Sequence, residues 1–148
     1  MTNLRGCLGA GLLLLAAAPT FAQQPAGRIK IASGSVFIVR GGTQLPARIG
    51  QPVYEADGIK TGADGRVGIT LNDDTRVSLG PGSEVRLDRF AYAPSEGHFA
   101  FVLKVVRGVA AYVSGRIAKL SPDSVHLETP AAIVGVRGTT LAMRVVPE

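Results

Sequence analysis

The segment from residue 66 to residue 87, RVGITLNDDTRVSLGPGSEVRL, decides the fold. Its apolar residues alternate with polar or small ones, as in Val67 and Ile69, and a period of two is typical of a β-strand with one buried face. Asn72-Asp73-Asp74 and Gly80-Pro81-Gly82 separate the runs; Gly, Asn and Asp favour turns because they tolerate positive φ. The segment therefore predicts three short strands joined by tight turns.

The same alternation extends from this segment in both directions. No run after residue 22 has the apolar spacing of a long amphipathic helix. Many short strands separated by turn residues predict an all-β fold in a single compact domain, either a solenoid-like roll or a sandwich. The alternating residues outside the central segment include Ile29, Ile31, Phe99, Phe101, Leu103, Val105, Val125 and Leu127.

A weak repeat runs through the central segment. Arg66-Val67-Gly68-Ile69, Arg76-Val77-Ser78-Leu79 and Glu84-Val85-Arg86-Leu87 follow one pattern. Such units stack as rungs of a solenoid or pair as a meander of antiparallel hairpins. Periodicity does not separate the two, because both arrangements bury alternate side chains.

Residues 1–22 have the features of a secretory signal peptide. Arg5 supplies a positive start, and Cys7–Ala18 is an apolar run shorter than the roughly 20 residues that a membrane-spanning helix needs. Small residues then precede Gln23, which predicts cleavage after Ala22 and a periplasmic or extracellular protein without a stable membrane span. A retained anchor is the alternative. We expect a flexible lead at 23–28 and the folded domain at 29–146.

The composition limits the chemistry. The 148 residues carry 16 Lys and Arg, 11 Asp and Glu, one Cys and two His, for a net charge of +5, and loss of Arg5 with the leader leaves +4. One Cys cannot build a disulfide framework or a multi-cysteine metal site. The positive charge favours anionic neighbours through long-range attraction, although it also serves solubility.

Several motifs, taken in order, resemble the FecR domain family. Asp57-Gly58-Ile59-Lys60-Thr61-Gly62 resembles the family's D-x-I-x-T-G element, which includes Asp57, Thr61 and Gly62. Thr129-Pro130-Ala131-Ala132, followed by Val134-Gly135-Val136-Arg137-Gly138-Thr139, resembles its closing motif. The central strands resemble the family's as well, except that Asp73 and Asp74 stand where Gly is common. The resemblance covers roughly residues 29–146.

The resemblance implies an extracytoplasmic domain. Named family members also have a cytoplasmic anti-sigma segment and a membrane helix, whereas we expect this chain to carry only the periplasmic part behind a cleavable signal. The regulator's role therefore does not transfer directly to this protein.

Arg137 is an unusual residue in its context, between apolar Val136 and Gly138. Burying a guanidinium without a partner is costly, so we predict that Arg137 pairs with a carboxylate. Asp57 is the best candidate, since the resemblance suggests that its turn meets the closing strand. Gly138 permits a close backbone approach and Thr139 a local hydrogen bond. The alternative is an exposed Arg137 that binds an anion.

Candidates for catalysis are weak. His98 follows the polar stretch Ser95-Glu96-Gly97, and His126 lies inside a predicted strand, without metal-binding spacing. The carboxylates lie in turn sequences, where Asp is expected for backbone reasons. We therefore predict a protein that is not an enzyme, with no metal or cofactor. The arginines are spread along the chain, which argues against a nucleic-acid partner.

The stretch Phe90–His98, FAYAPSEGH, is predicted as the one longer irregular loop. Phe90, Tyr92 and His98 would form a contact surface, because binding residues often lie on loops over a rigid sheet. A loop packed by its own aromatic rings is the alternative. We predict a non-enzymatic, exported binding or assembly module of the cell envelope, with an envelope protein or anionic polymer as partner. The second hypothesis is an accessory sensor that relays an iron-uptake or stress signal to a separate membrane regulator.

Overall fold

The computed structural model describes residues 17–19, 23–136 and 140–146. Most of the predicted signal peptide and residues 137–139 of the closing motif lie outside this range. The described residues form twelve strands and one short α-helix: β1 (Gly27–Ser33), β2 (Val36–Arg40), β3 (Thr43–Pro46), β4 (Pro52–Val53), β5 (Gly58–Thr61), β6 (Arg66–Leu71), β7 (Arg76–Leu79), β8 (Glu84–Ala93), β9 (His98–Val113), α1 (Arg116–Leu120), β10 (Val125–Glu128), β11 (Ile133–Gly135) and β12 (Thr140–Val145).

The strands form one hydrogen-bonded sheet that folds over on itself into two layers. Sheet I has the order β4-β1-β6-β7-β9-β12, and sheet II has the order β3-β2-β5-β8-β9-β10-β11. Neighbours are antiparallel except β9 and β10, which are parallel. The predicted all-β domain is confirmed, and its form is one curled sheet, a half-barrel whose two halves share strand β9.

Strand β9 passes from one layer to the other at Gly108. Its first part pairs with β8 in sheet II, and its last part pairs with β7 and β12 in sheet I. Gly108 has φ +87°, and a Cβ there would collide with Ser83. The buried Ser83 hydroxyl accepts from Val109 N at 2.9 Å and donates to Val109 O at 3.1 Å. It thus accepts the Val109 N–H at this bend, and it shares Val109 O with Gly80 N, which donates at 3.0 Å.

The core lies between the two layers. Ile69 of sheet I faces Ile59 and Leu103 of sheet II across a void of about 10 Å³, near the lower limit for holding one water molecule. The Phe101 and Tyr112 rings join the layers with centroids 5.6 Å apart. Burial, helped by the nearby negative charge of Asp73, raises the pKa of the Tyr112 hydroxyl to about 12.

The three repeated units do not stack as solenoid rungs. Strands β6 and β7 pair antiparallel in sheet I, with Gly68 opposite Ser78. The third unit begins β8, which lies in sheet II. The solenoid interpretation is therefore wrong: the first two units form a hairpin, and the third buries its apolar face from the opposite side of the core.

Two predicted irregular segments are shorter than expected. Strand β1 already begins at Gly27, and Ala26, which is 3% exposed, donates its N–H to Val53 O at 2.7 Å. The predicted flexible lead is therefore wrong for its last residues. Likewise β8 runs to Ala93 and β9 starts at His98, so the predicted loop from Phe90 is wrong except for the turn at 94–97. Cross-strand pairing of its aromatic rings keeps the rest in a hairpin.

Candidate functional site

Asp57 is a buried carboxylate with internal partners. Arg40 donates from Nε to its Oδ1 at 2.8 Å and from Nη2 to its Oδ2 at 2.7 Å, and Tyr54 N donates at 2.9 Å. The Arg40 guanidinium also lies 4.7 Å from the Tyr54 ring centroid. The hydrogen bond to Asp57 raises the pKa of Arg40. Arg40 is therefore the described partner of Asp57, which the sequence did not suggest; Arg137 lies outside the described residues, and its predicted pairing with Asp57 stays a prediction.

Thr61 and Gly62 join two turns. The buried Thr61 hydroxyl donates to Gly80 O at 2.7 Å and accepts from Ser83 N at 2.9 Å. Gly62 N donates to Ser35 O at 2.9 Å. The Thr61 bonds tie the end of β5 to the connection between β7 and β8, and the Gly62 bond ties it to the turn between β1 and β2. The two motif residues therefore serve the fold.

Thr129 and Pro130 form the tight turn between β10 and β11. Thr129 Oγ1 accepts from Ala132 N at 3.1 Å, and Thr129 N donates to Ala132 O at 2.8 Å. Pro130 is exposed in this turn. The described part of the closing motif therefore sets backbone geometry, while Gly138 and Thr139 lie outside the described residues.

Asp73 has a structural role that the sequence did not reveal. Its fully buried carboxylate accepts from the Thr75 hydroxyl at 2.7 Å and from Ile117 N at 3.2 Å, and its carbonyl accepts from Arg116 N at 2.7 Å. It fastens the β6–β7 turn to the start of α1. Asp74 adopts φ +68°, as the family's Gly would, and lies 3.2 Å from Arg116 Nε. The Asp73-Asp74 pair is therefore a turn and not an acid–base couple.

The long hairpin of β8 and β9 brings the predicted contact residues together. Phe90 packs edge-on against Phe101 with ring centroids 6.5 Å apart, and Tyr92 lies 6.3 Å from Phe99. Phe90, Tyr92 and His98 line one open recess of about 230 Å³ at this hairpin. We call it the hairpin recess.

Polar groups surround the hairpin recess. Glu55 lines it and accepts from Phe90 N at 2.9 Å, which fixes that carboxylate against β8. The neighbouring Tyr92 hydroxyl, together with the Asp74 carboxylate, raises the pKa of Arg116. The arrangement offers half-buried aromatic surface beside one fixed carboxylate and one guanidinium. Such a combination suits non-covalent recognition of a partner group.

The described residues contain no candidate metal-binding site. His98 begins β9, whereas His126 lies on β10 opposite Val102. Across residues 17–19, 23–136 and 140–146, no group of three or more His, Cys, Asp or Glu side chains is placed to hold a metal ion. Within the same ranges, none of the helices combines the length and apolar content needed to cross a bilayer.

Comparison with known proteins identifies the family. The family model described as FecR protein matches residues 57–147, which is more than half of the chain and runs from the Asp57 element through β12. Searches of the curated proteins and of the solved structures found no match. The match includes the Asp57, Thr61 and Thr129 elements on which the resemblance rested. The chain therefore belongs to the FecR protein family.

Proposed function

We propose that this protein is a non-enzymatic binding module of the cell envelope that contacts its partner through the hairpin recess. Membership of the FecR family supports a signalling- or sensor-related role in the envelope. The non-enzymatic part is supported by Asp57, Thr61 and Thr129, whose polar groups are engaged in internal hydrogen bonds. These residues hold turns in place and are not presented to a substrate.

One observation carries the choice of contact site. Phe90, Tyr92 and His98 are close in sequence, yet only the extended hairpin places them around one open recess. Aromatic side chains with a polar atom are favoured at protein interfaces, because they bury large apolar area and still satisfy hydrogen bonds. The partner is an envelope protein or an anionic envelope polymer.

Export is part of the proposal. Residues 1–22 act as a cleaved signal peptide, which places the domain in the periplasm or outside the cell. Fractionation followed by amino-terminal sequencing tests this, and the expected first residue is Gln23. Recovery of the uncleaved chain in the cytoplasm would contradict export.

The contact site is tested by capture from an envelope extract with matched variants. Tyr92→Ala with His98→Ala removes two side chains of the recess, whereas Ser95→Ala with Glu96→Ala changes the exposed tip of the same hairpin. We expect the wild type and the tip variant to retain the same protein or polymer and the recess variant to lose it. Equal retention by both folded variants, checked by circular dichroism, would exclude the recess.

Family membership also supports the accessory-sensor hypothesis, in which the domain relays an envelope signal to a separate membrane regulator. Transcription that responds to an envelope signal in the presence of the gene, and not in its absence, would support this role. An unchanged response after deletion would leave the binding module without a signalling function.

A further inference from the structure

The outer face of sheet I has a central row of small residues. Strand register aligns Gly68 with Ser78, Ser78 with Ala111, and Ala111 with Ala142 across β6, β7, β9 and β12. Ile31 of β1 stands opposite Gly68 at the end of this row and is 62% exposed. With strands about 4.8 Å apart, a row across five strands is about 19 Å long.

This row forms the floor of a shallow trough. A concavity of about 300 Å³ lies over Gly68, Ser78 and Ala111, with Ile31 and Val109 at its sides. We call it the sheet I trough. A Cβ on Gly68 would lie 3.4 Å from Ile31 Cβ, an ordinary van der Waals contact, so the Ile31 side chain lies directly over Gly68.

Cations flank the trough on both sides. Same-face residues on a strand are about 6–7 Å apart, so Arg76 stands one row to one side of the trough, and Arg66 and Arg144 stand one row to the other. Outside the part of β9 that belongs to sheet II, the strands of sheet I carry five basic residues and no Asp or Glu. Among the described residues, no ion pair joins any of the five to a carboxylate. The five are Arg28, Lys30, Arg66, Arg76 and Arg144.

We propose that the sheet I trough binds a linear, carboxylate-bearing polysaccharide that lies across the strands. The inference rests on the envelope location in the proposed function, but it concerns a different face from the hairpin recess. The small floor admits the sugar chain, and the arginines on both sides take its carboxylates. Arginine suits this role because its planar guanidinium binds carboxylates through paired hydrogen bonds.

The composition of the trough favours a glycan over other polyanions. An extended peptide gains affinity by pairing with a free strand edge, whereas the trough floor lies on β6, β7 and β9, each paired on both sides. Single-stranded nucleic acid would need aromatic rings for base stacking, and the trough is lined by none. A membrane-binding face presents protruding apolar and aromatic residues, whereas this surface is concave.

Binding of the purified protein to polygalacturonate tests the proposal, with dextran as the uncharged glycan. We expect binding to polygalacturonate and none to dextran at about 0.01 M salt, with weaker binding at about 0.1 M, where the Debye length falls from about 30 Å to about 10 Å. Arg66→Gln, Arg76→Gln and Arg144→Gln together should weaken binding by about tenfold or more. The matched control is Lys60→Gln, Arg89→Gln and Lys104→Gln, which removes the same charge from sheet II and should change affinity less than about twofold.

A variant that fills the trough separates shape from charge. Ser78→Phe keeps every cation but raises the floor, and we expect it to weaken binding by about fivefold or more. Equal weakening by the two charge variants, or no effect of Ser78→Phe in a folded protein, would overturn the proposal. Tighter binding to polyglutamate, single-stranded DNA or anionic vesicles than to polygalacturonate would overturn it too. If polygalacturonate fails while capture through the hairpin recess succeeds, this inference falls and the proposed function remains.

Discussion

The outer faces of the two sheets differ in how they use charge. On sheet II and its ends, three of the four arginines have carboxylate partners: Arg40 pairs with Asp57, Arg86 with Asp88, and Arg107 with Glu84 at 3.5 Å, whereas Arg89 has no ion pair among the described residues. On the strands of sheet I, outside the part of β9 that belongs to sheet II, five cations stand without a carboxylate on the same strands. Both faces cover one core and share β9, but no described ion pair involves the cations on the sheet I face. Charge there is available for a partner, whereas charge at Asp57 holds the structure.

The largest expected effect on stability comes from a substitution in β9, the strand that both sheets share. Gly108→Ala places a Cβ against Ser83 at φ +87°, so strain and overpacking should lower the free energy of unfolding by about 4 kcal/mol. Urea denaturation measures this loss. Gly82→Ala is the control, since Gly82 has φ +62° with open space around it, and it should cost only about 1 kcal/mol. Equal losses in the two variants would mean that the Gly108 bend is not tightly packed.

Removing the buried carboxylate tests the structural side of the comparison. Asp57→Asn leaves Arg40 without its ion pair and should lower the free energy of unfolding by about 3 kcal/mol, at the low end for buried pairs because Arg40 is 39% exposed. Thermal and urea unfolding measure the change. Asp88→Asn, which breaks the exposed pair with Arg86, should cost less than about 1 kcal/mol. A loss of less than about 1 kcal/mol for Asp57→Asn as well would show that the stability of the fold does not depend on the pair with Arg40.

Alkaline titration sharpens the comparison at Tyr112, where the two layers meet. Its pKa is raised from 10.0 to about 12, so the folded state holds this proton more tightly than the unfolded state does. The resulting stability is fully present below pH 10 and is lost as pH rises from 10 to about 12, by roughly 2 kcal/mol. Urea unfolding at several pH values measures it, and tyrosinate absorbance should show Tyr112 ionising last. Tyr112→Phe should remove this part of the pH dependence; an unchanged profile would contradict the assignment.

The smallest expected effect is on the sheet I face. Arg66→Gln with Arg76→Gln should change the free energy of unfolding by no more than about 0.5 kcal/mol, because neither residue has a described ion-pair partner. Differential scanning calorimetry measures this change. A loss of about 2 kcal/mol or more would mean that these cations serve the fold, and the contrast between the faces would disappear.

The alternation of apolar residues and the turn motifs predicted much of the fold. The rest depends on contacts between residues far apart in the chain, which such short-range patterns do not reveal. Alternation at Val67 and Ile69 correctly placed strand β6 and its buried face. Alternation did not assign β7 and β8 to different layers, because both layers bury alternate residues in the same way. The hairpin from Phe90 was missed for a related reason: its ring pairs with Phe101 and Phe99 connect two strands, and Pro94 and Gly97 suggested a longer loop.

The candidate sites also have features that the sequence showed and features that only the structure revealed. The motif residues Asp57 and Thr61 were visible in the sequence, but their partners Arg40 and Gly80 are 17 and 19 positions away. Nothing in the local sequence connects Arg40 to Asp57. The trough left no sequence signal, because Gly68, Ser78 and Ala111 become neighbours only through strand register.

The amino-acid sequence alone determined the strand-rich class, the turn positions and membership of the FecR family, because turn chemistry and side-chain alternation act over a few residues. The tertiary structure alone decided which layer each strand joins, which basic residue neutralises Asp57, and which face keeps its cations unpaired. Those outcomes depend on the bend of β9 at Gly108 and on register between strands far apart in the chain. The stabilising free energy of such contacts is gained only when the whole core forms, so no short stretch of sequence predicts them.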